Sequence, residues 1–416
     1  MDSKNSKKQL FIGILIGILL MIVVTLITVL IVIRHYNKED VGAGTVVEVE
    51  DSLLDDETVL KIEQIQDYLN KHSILDTDEE TLRRGLFQGI LESTGDKYCE
   101  YYTPEEIQDL MGDYGGSFFG IGASIAMEHD EPVIQKIYKE SPAEKAGLMA
   151  GDIIHTVDGV DITGMTLDEV VSKIRGEKGT PVVIGVWRDS VDILELTAIR
   201  DEIHVEVVTH EMKDNGIGYI HIEEWYDTTP GQFSEAYKDL QTQGMEKGLI
   251  VDLRSNTGGL LSSVLDVLKQ LLPTGPMLYV EDNQGNREAY TNDVESDGID
   301  IPVVILTNGY TASASEIFTG AMKDYDKAIS IGTKTYGKGV VQSFYYLADG
   351  SAIKFTTEQY FTPSGTAIDG AGIEPDIELT FDADAYYDEE NPIDNQLEKA
   401  IEYLEEGGLM ESDTAA

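Results

Sequence analysis

Along this chain the spacing of apolar and polar positions changes several times, and each change predicts a different kind of segment. From Leu10 to Ile33 the run LFIGILIGILLMIVVTLITVLIVI holds 24 residues without a charge, enough to cross a bilayer core of about 30 Å as one helix. A cleaved leader would show a shorter apolar region of roughly 7–15 residues and a small-residue cleavage site. The pattern therefore predicts an uncleaved transmembrane helix over 10–33. Lys4, Lys7 and Lys8 precede it, and Arg34 and Lys38 follow. This bias predicts a cytoplasmic N-terminus over 1–9 and an extracytoplasmic remainder, a single-pass protein of the cell membrane. Residues 34–57 are polar and acidic and read as a tether. Over 58–112 apolar positions return at helical spacing, as with Leu60, Ile62, Ile65 and Leu69. Thr103, Pro104 and Glu106 mark a further helix start.

From Gly115 the period becomes that of short strands: SFFGIGASIAM, PVIQKIY and DIIHTVDG, then a helix TLDEVVSKIRG and a strand PVVIGVWR. Gly120-Ile121-Gly122-Ala123, followed downstream by SPAEKAGLMAGDII, gives residues 113–200 a resemblance to a PDZ domain. Glycines let such a loop turn so that successive backbone N–H groups converge on a peptide carboxylate. The peptide then adds as a strand to the sheet edge. The resemblance implies that Gly120, Ile121, Gly122 and Ala123 receive the free C-terminus of a protein or peptide.

Over 201–380, the runs GIGYIHI, GLIVDL, PVVILT, AISIG and VVQSFYYL alternate with helical stretches such as LLSSVLDVLKQLL. Such alternation predicts a parallel sheet with crossover helices. In the tail, 381–416, Leu397, Ala400, Ile401 and Leu404 share a helical face. The expected fold class is α/β multidomain: a transmembrane helix, a helical region, a β-rich PDZ domain with helices, an α/β core and a helical tail.

Charge narrows the function. Asp and Glu number 77 against 30 Lys and Arg, a net charge of −47, which excludes nucleic acid as a partner because that needs a basic stripe. Length, 416 residues, leaves room for two or three domains. Cys99 is the only cysteine, so no intrachain disulfide forms. No His/Cys/Asp cluster has ligand spacing, and neither a metal nor another cofactor is expected.

Three fragments carry chemistry. In VDLRSNTGGLL a strand ends at Leu253 and a helix follows Gly258 and Gly259, so the turn can present backbone N–H groups to developing negative charge. In VVILTNGYTASASEIF a second strand leads to a helix through Ser313 and Ser315. Residues i and i+2 of a helix point about 200° apart, so one serine is a candidate nucleophile and the other caps or packs. The Ala314 amide is a second candidate oxyanion donor. In GTKTYGKGVVQ, Lys338 lies between two glycines ahead of an apolar strand. Burial can lower a lysine into the range of a general base, and Gln342 is placed to orient its amine.

These fragments, with YFTPSGTAIDGAGIEPD and the PDZ segment, resemble the carboxyl-terminal processing peptidases, a family of serine proteases. The resemblance covers most of the chain after the apolar run. It implies a crotonase- or Clp-protease-like core and a catalytic set of Ser313, Lys338 and Gln342, choosing Ser313 over Ser315. It places oxyanion donors at Gly258 or Gly259 with Ala314, and it makes a homodimer through the helices of 58–112 and 392–406 reasonable. Thr257, Thr311 and Tyr336 depart from the usual Pro, Ser and Phe, and none of these removes a functional group. The expected activity is that of a membrane-anchored serine endopeptidase whose PDZ domain captures substrates by free, apolar C-termini. Arg175, at the end of the PDZ helix, is a candidate relay between the two sites. The competing readings are an inert membrane-tethered PDZ adaptor, a crotonase-like thioester enzyme, and a Ser-His-Asp triad through His221.

Overall fold

The computed structural model describes residues 53–75, 78–129, 131–188, 193–388 and 391–407. The chain divides into two compact units, residues 1–87 with 346–351 and residues 88–345 with 352–416. In the first, helix α1 (Asp56–His72) starts on Asp55, whose carboxylate accepts from the Thr58 N–H, and none of its residues is buried. Helix α2 (Glu79–Glu92) runs past the boundary between the units, and Leu91, in the second, is buried with Cys99 and Tyr101.

The second unit continues with strand β1 (Glu100–Tyr102) and helix α3 (Pro104–Tyr114). Thr103 and Glu106 close a reciprocal cap at the start of α3, as their spacing predicts. Next come β2 (Ser117–Gly120), β3 (Ala123–Glu128), β4 (Glu131–Ile137), α4 (Pro142–Ala146), β5 (Ile153–Val157), β6 (Val160–Asp161), α5 (Leu167–Ile174), β7 (Pro181–Trp187), β8 (Leu194–Ile199) and β9 (Asp201–His204). Strands β3-β4-β5-β7-β8 form one antiparallel sheet, while β2 and β9 pair as a ribbon through which the chain enters and leaves this module. SFFGIGASIAM is thus two strands rather than one. Gly122 breaks them at φ 75°, and a Cβ there would come within 2.4 Å of Ser141 Cβ.

The α/β core comprises β10 (Val208–Lys213), β11 (Ile217–Ile222), α6 (Thr229–Gln243), β12 (Gly248–Asp252), α7 (Leu261–Leu271), β13 (Pro273–Asp282), β14 (Arg287–Asp297), β15 (Val303–Thr307), α8 (Ala314–Asp324), β16 (Ala328–Gly332), β17 (Val340–Tyr346), β18 (Ala352–Phe361), β19 (Ile377–Glu378), α9 (Ala383–Tyr386) and α10 (Asn395–Glu405). Its main sheet runs β10-β11-β12-β15-β16-β19, parallel from β11 to β19, with β10 antiparallel at the edge. Both faces are covered. Ile220, Val251 and Ile305 pack on α6, α7 and α8 through Phe233, Leu268 and Phe318, while Ile217, Ile250 and Val304 pack on Ala400 and Leu404 of α10. Burial on both sides is why β12, β15 and β16 read as mainly apolar runs, interrupted by Ser330 and ending in Asp252 and Thr307. A second sheet, β1-β18-β13-β14 with β17 beside β18, flanks the turns that leave β12 and β15.

One part of the expected fold is corrected. Among the described residues no helix is long and apolar enough to cross a membrane. The longest, α1, has 17 residues and carries charges along its length. The described architecture is α/β multidomain without a transmembrane helix, and the run over 10–33 on which that helix was expected lies outside the described residues.

Candidate active site

Parallel sheets gather their functional loops beyond the carboxyl ends of the strands, and two adjacent strands do so here. The turn after β12 carries Asn256, Gly258 and Gly259; the turn after β15 carries Ser313. Asn256 is buried and ties them together. Its side-chain amide donates to the Ile222 carbonyl at 2.9 Å, its side-chain oxygen accepts from the Gly258 N–H at 2.9 Å, and its backbone carbonyl accepts from the Ala312 N–H at 3.1 Å.

Ser313 precedes the first residue of α8 with φ 54° and ψ −117°, a sparsely populated conformation for an L-residue. Such a bend persists only where its surroundings over-determine it. Here the Glu316 carboxylate accepts from the Ser313 N–H at 2.9 Å, and the Tyr360 hydroxyl donates to the Ser313 carbonyl at 3.1 Å. Ser315 is fully buried and accepts from the Trp225 indole N–H at 2.8 Å, so it packs while Ser313 faces the cavity.

Lys338 reaches the same cavity from the loop before β17. Gly339 beside it admits no other residue, because a Cβ would come within 2.2 Å of the Asp369 backbone nitrogen. Burial first, then the neighbouring ammonium groups of Lys354 and Lys97, hold the Lys338 amine below the ordinary lysine value, against Asp96 and Glu316. Its Nζ lies 4.5 Å from the centre of the Tyr98 ring, a contact that favours the charged form.

Glu316 ties the Ser313 turn to the Lys338 loop. Completely buried, its carboxylate accepts from the backbone N–H groups of Ser313, Gly337 and Lys338 at 2.7–2.9 Å and from the Thr335 hydroxyl at 2.5 Å. Burial holds this carboxyl above the usual range in spite of the four donors. Tyr360 adds a second link, its hydroxyl bonding to the carbonyls of both Ser313 and Lys338. Sequence reasoning missed both residues. Glu316 lies three residues after Ser313, the spacing of a capping box. Tyr360 left no local signal, since only the fold brings β18 to this place.

One cavity of about 560 Å³ is lined by Ser313, Ala314, Lys338, Gln342, Gly258 and Gly259 together. Gln342 donates weakly to the Val340 carbonyl and the Thr356 hydroxyl, at 3.4 and 3.3 Å, and not to Lys338. Of the two glycines, Gly258 has its N–H taken by Asn256, whereas the N–H groups of Gly259 and Ala314 have no acceptor among the described residues. Gly258 serves contact instead: its Cα packs so close that a Cβ would lie 2.8 Å from Ser313 Cβ. His221 is not among the residues lining the cavity. Behind the turn, Arg254 joins Asp252 and Asp394 at 2.5 and 2.8 Å, anchoring α10 to the end of β12.

A second cavity, of about 260 Å³, is lined by Gly120, Ile121, Gly122 and Ala123 with Arg175, Asp113 and Tyr226. Arg175 donates to Asp113 of α3 at 2.9 Å. Tyr226 lines both cavities.

Residues 216–379 match the model of peptidase family S41, and residues 133–188 match that of the PDZ domain, a range that begins after the Gly120–Ala123 loop. A protein of Staphylococcus epidermidis named "Probable CtpA-like serine protease" is 37% identical over 322 residues, 77% of this chain and 65% of its own length. One of the same name from Staphylococcus aureus strain COL is 35% identical over 327 residues, 78% of this chain and 65% of its own. The chain therefore spans about two thirds, 65%, of the length of these relatives. Among solved structures, a photosystem II D1 C-terminal processing protease is similar at 29% identity and a TM-score of 0.47, covering 76% of this chain and 86% of that one.

Proposed function

The chain belongs to the carboxyl-terminal processing peptidases of family S41, and from that premise we propose that it is a serine endopeptidase in which Ser313 is the nucleophile and Lys338 the general base. The observation that carries the reading is the shared cavity: a strained serine, a lysine held below its ordinary value and two unengaged N–H groups meet in it. Ser313 Oγ attacks the substrate carbonyl carbon while Lys338 takes its proton. The Gly259 and Ala314 N–H groups stabilise the oxyanion. Lys338 then returns the proton to the leaving amine, and a water that it deprotonates releases the acyl group. Both amide hydrogens of Gln342 face protein acceptors, which leaves its carbonyl oxygen to orient the ammonium of Lys338.

Substrate capture by a free, apolar C-terminus at Gly120–Ala123 belongs to the same proposal, supported by the cavity beside that loop. Self-association is supported by the exposed Leu60, Ile65 and Leu69 of α1. Export of the catalytic part rests on the uncharged run in the sequence. The inert-adaptor reading has no observation in its favour.

The test is cleavage of an unfolded protein with an apolar C-terminus, followed by mass spectrometry. Ser313→Ala and Lys338→Ala are each expected to lower kcat by about 10⁴-fold or more. Retained cleavage in Ser313→Ala would refute the assignment, and an unchanged rate on amidating the substrate's C-terminus would refute capture by the PDZ module.

A further inference from the structure

Among the described residues lining the active cavity there is one carboxylate, Glu224, the second residue after β11. It is half-buried and has no ion-pair partner among the described residues. Its surroundings do not favour an isolated negative charge. Burial and the adjacent Glu223 push its carboxyl up to about 7, and only the Thr257 hydroxyl acts in the other direction. Of the two lysines lining the cavity, Lys338 and Lys354, neither forms an ion pair with it among the described residues, and Lys354 pairs instead with Glu100 at 3.0 Å. A half-desolvated carboxylate with a hydroxyl beside it, no cation and an open cavity in front is incomplete as a structural feature. It costs the free protein stability that a cationic ligand returns.

We propose that Glu224 is a specificity-determining residue that receives a lysine or arginine side chain of the substrate, on the Thr257 side of the cavity. The inference rests on the peptidase reading and deepens it by naming a substrate class. A guanidinium or ammonium would form a charge-assisted hydrogen bond with a carboxylate already shielded from bulk water. Lys338 and Lys354 repel a cation from their own side, which confines the preference to substrate positions that reach Glu224. Thr257, exposed to the cavity and next to Gly258, places this subsite beside the turn that approaches Ser313.

The experiment uses the full-length chain and a peptide series in which a single lysine, glutamine or glutamate is walked through the positions flanking the cleaved bond. At one position the wild type is expected to show a kcat/KM for lysine about tenfold or more above that for glutamine. Glu224→Gln is expected to bring that ratio close to one, and Glu224→Lys to turn it in favour of glutamate, an inversion that a merely structural residue would not produce. A ratio unchanged in Glu224→Gln, or no discrimination at any position by the wild type, overturns the inference. Equilibrium binding of the same peptides to Ser313→Ala separates this failure from that of the peptidase reading. If the wild type cleaves nothing, tighter binding of the lysine peptide by about tenfold still supports Glu224, and equal binding overturns it.

Discussion

At the scale of single residues, the site depends on groups that do no chemistry themselves. Glu316 holds Ser313 and Lys338 through three backbone N–H groups. Glu316→Gln keeps the shape but turns an NH2 toward donors. We expect kcat/KM to fall about 10²-fold, the scale set by small misplacements of catalytic groups, and stability to drop by about 1–3 kcal/mol, read by cleavage kinetics and urea unfolding. Lys354 acts on Lys338 through charge. Its ammonium disfavours a second positive charge nearby and so lowers the Lys338 value. Lys354→Met removes that repulsion, the Lys338 value rises, and the neutral base forms only at higher pH. The acid limb of the pH–kcat/KM profile should therefore move to higher pH, and a profile that stays in place would show the two lysines to be uncoupled.

Among the elements, two strand-to-helix turns are packed against each other, with glycine at the contact. Gly258 has φ 114°, and a Cβ there would lie 2.8 Å from Ser313 Cβ and 3.0 Å from the Ala312 carbonyl oxygen. Gly258→Ala is expected to push the serine turn out of place. It should cost about 1–3 kcal/mol of stability and roughly 10²-fold or more in kcat, with the PDZ module left able to bind peptide. The elements also show where sequence patterns carry information. Strands β12, β15 and β16, buried on both faces, are mainly apolar and were readable as strands. By contrast, most residues of β14 are exposed, and its β13–β14 ribbon follows neither a clear alternation nor a continuous apolar run. Its existence depends on pairing with β18 through β13, a partner far away in the chain.

For the molecule as a whole, the question is whether the PDZ module and the α/β core communicate. Arg175, on the wall of the PDZ cavity, is bonded to Asp113 of α3, and Tyr114 of the same helix lines the catalytic cavity. This is the connection on which we rest the proposal of Arg175 as a relay. Coupling between sites of this kind is typically 5–150-fold. Arg175→Ala is expected to reduce the change in cleavage rate on adding a C-terminal peptide to less than about twofold, while that peptide still binds. A full response in the variant would remove Arg175 from the mechanism. The sequence by itself determined which local segments form, because helical and strand periods, caps and glycine turns are properties of neighbours in the chain. It also marked the pair Ser313 and Ser315, Lys338 and the glycine turn as candidates, whose residue types and spacings are local, while the choice of Ser313 came from the family resemblance. Tertiary structure alone decided which glycine N–H is free and which serine is buried, and it brought Glu316, Tyr360 and Glu224 into the site. Those outcomes depend on hydrogen bonds and burial between segments as far apart as 90 residues, and such contacts exist only after the β12 and β15 turns have been packed together.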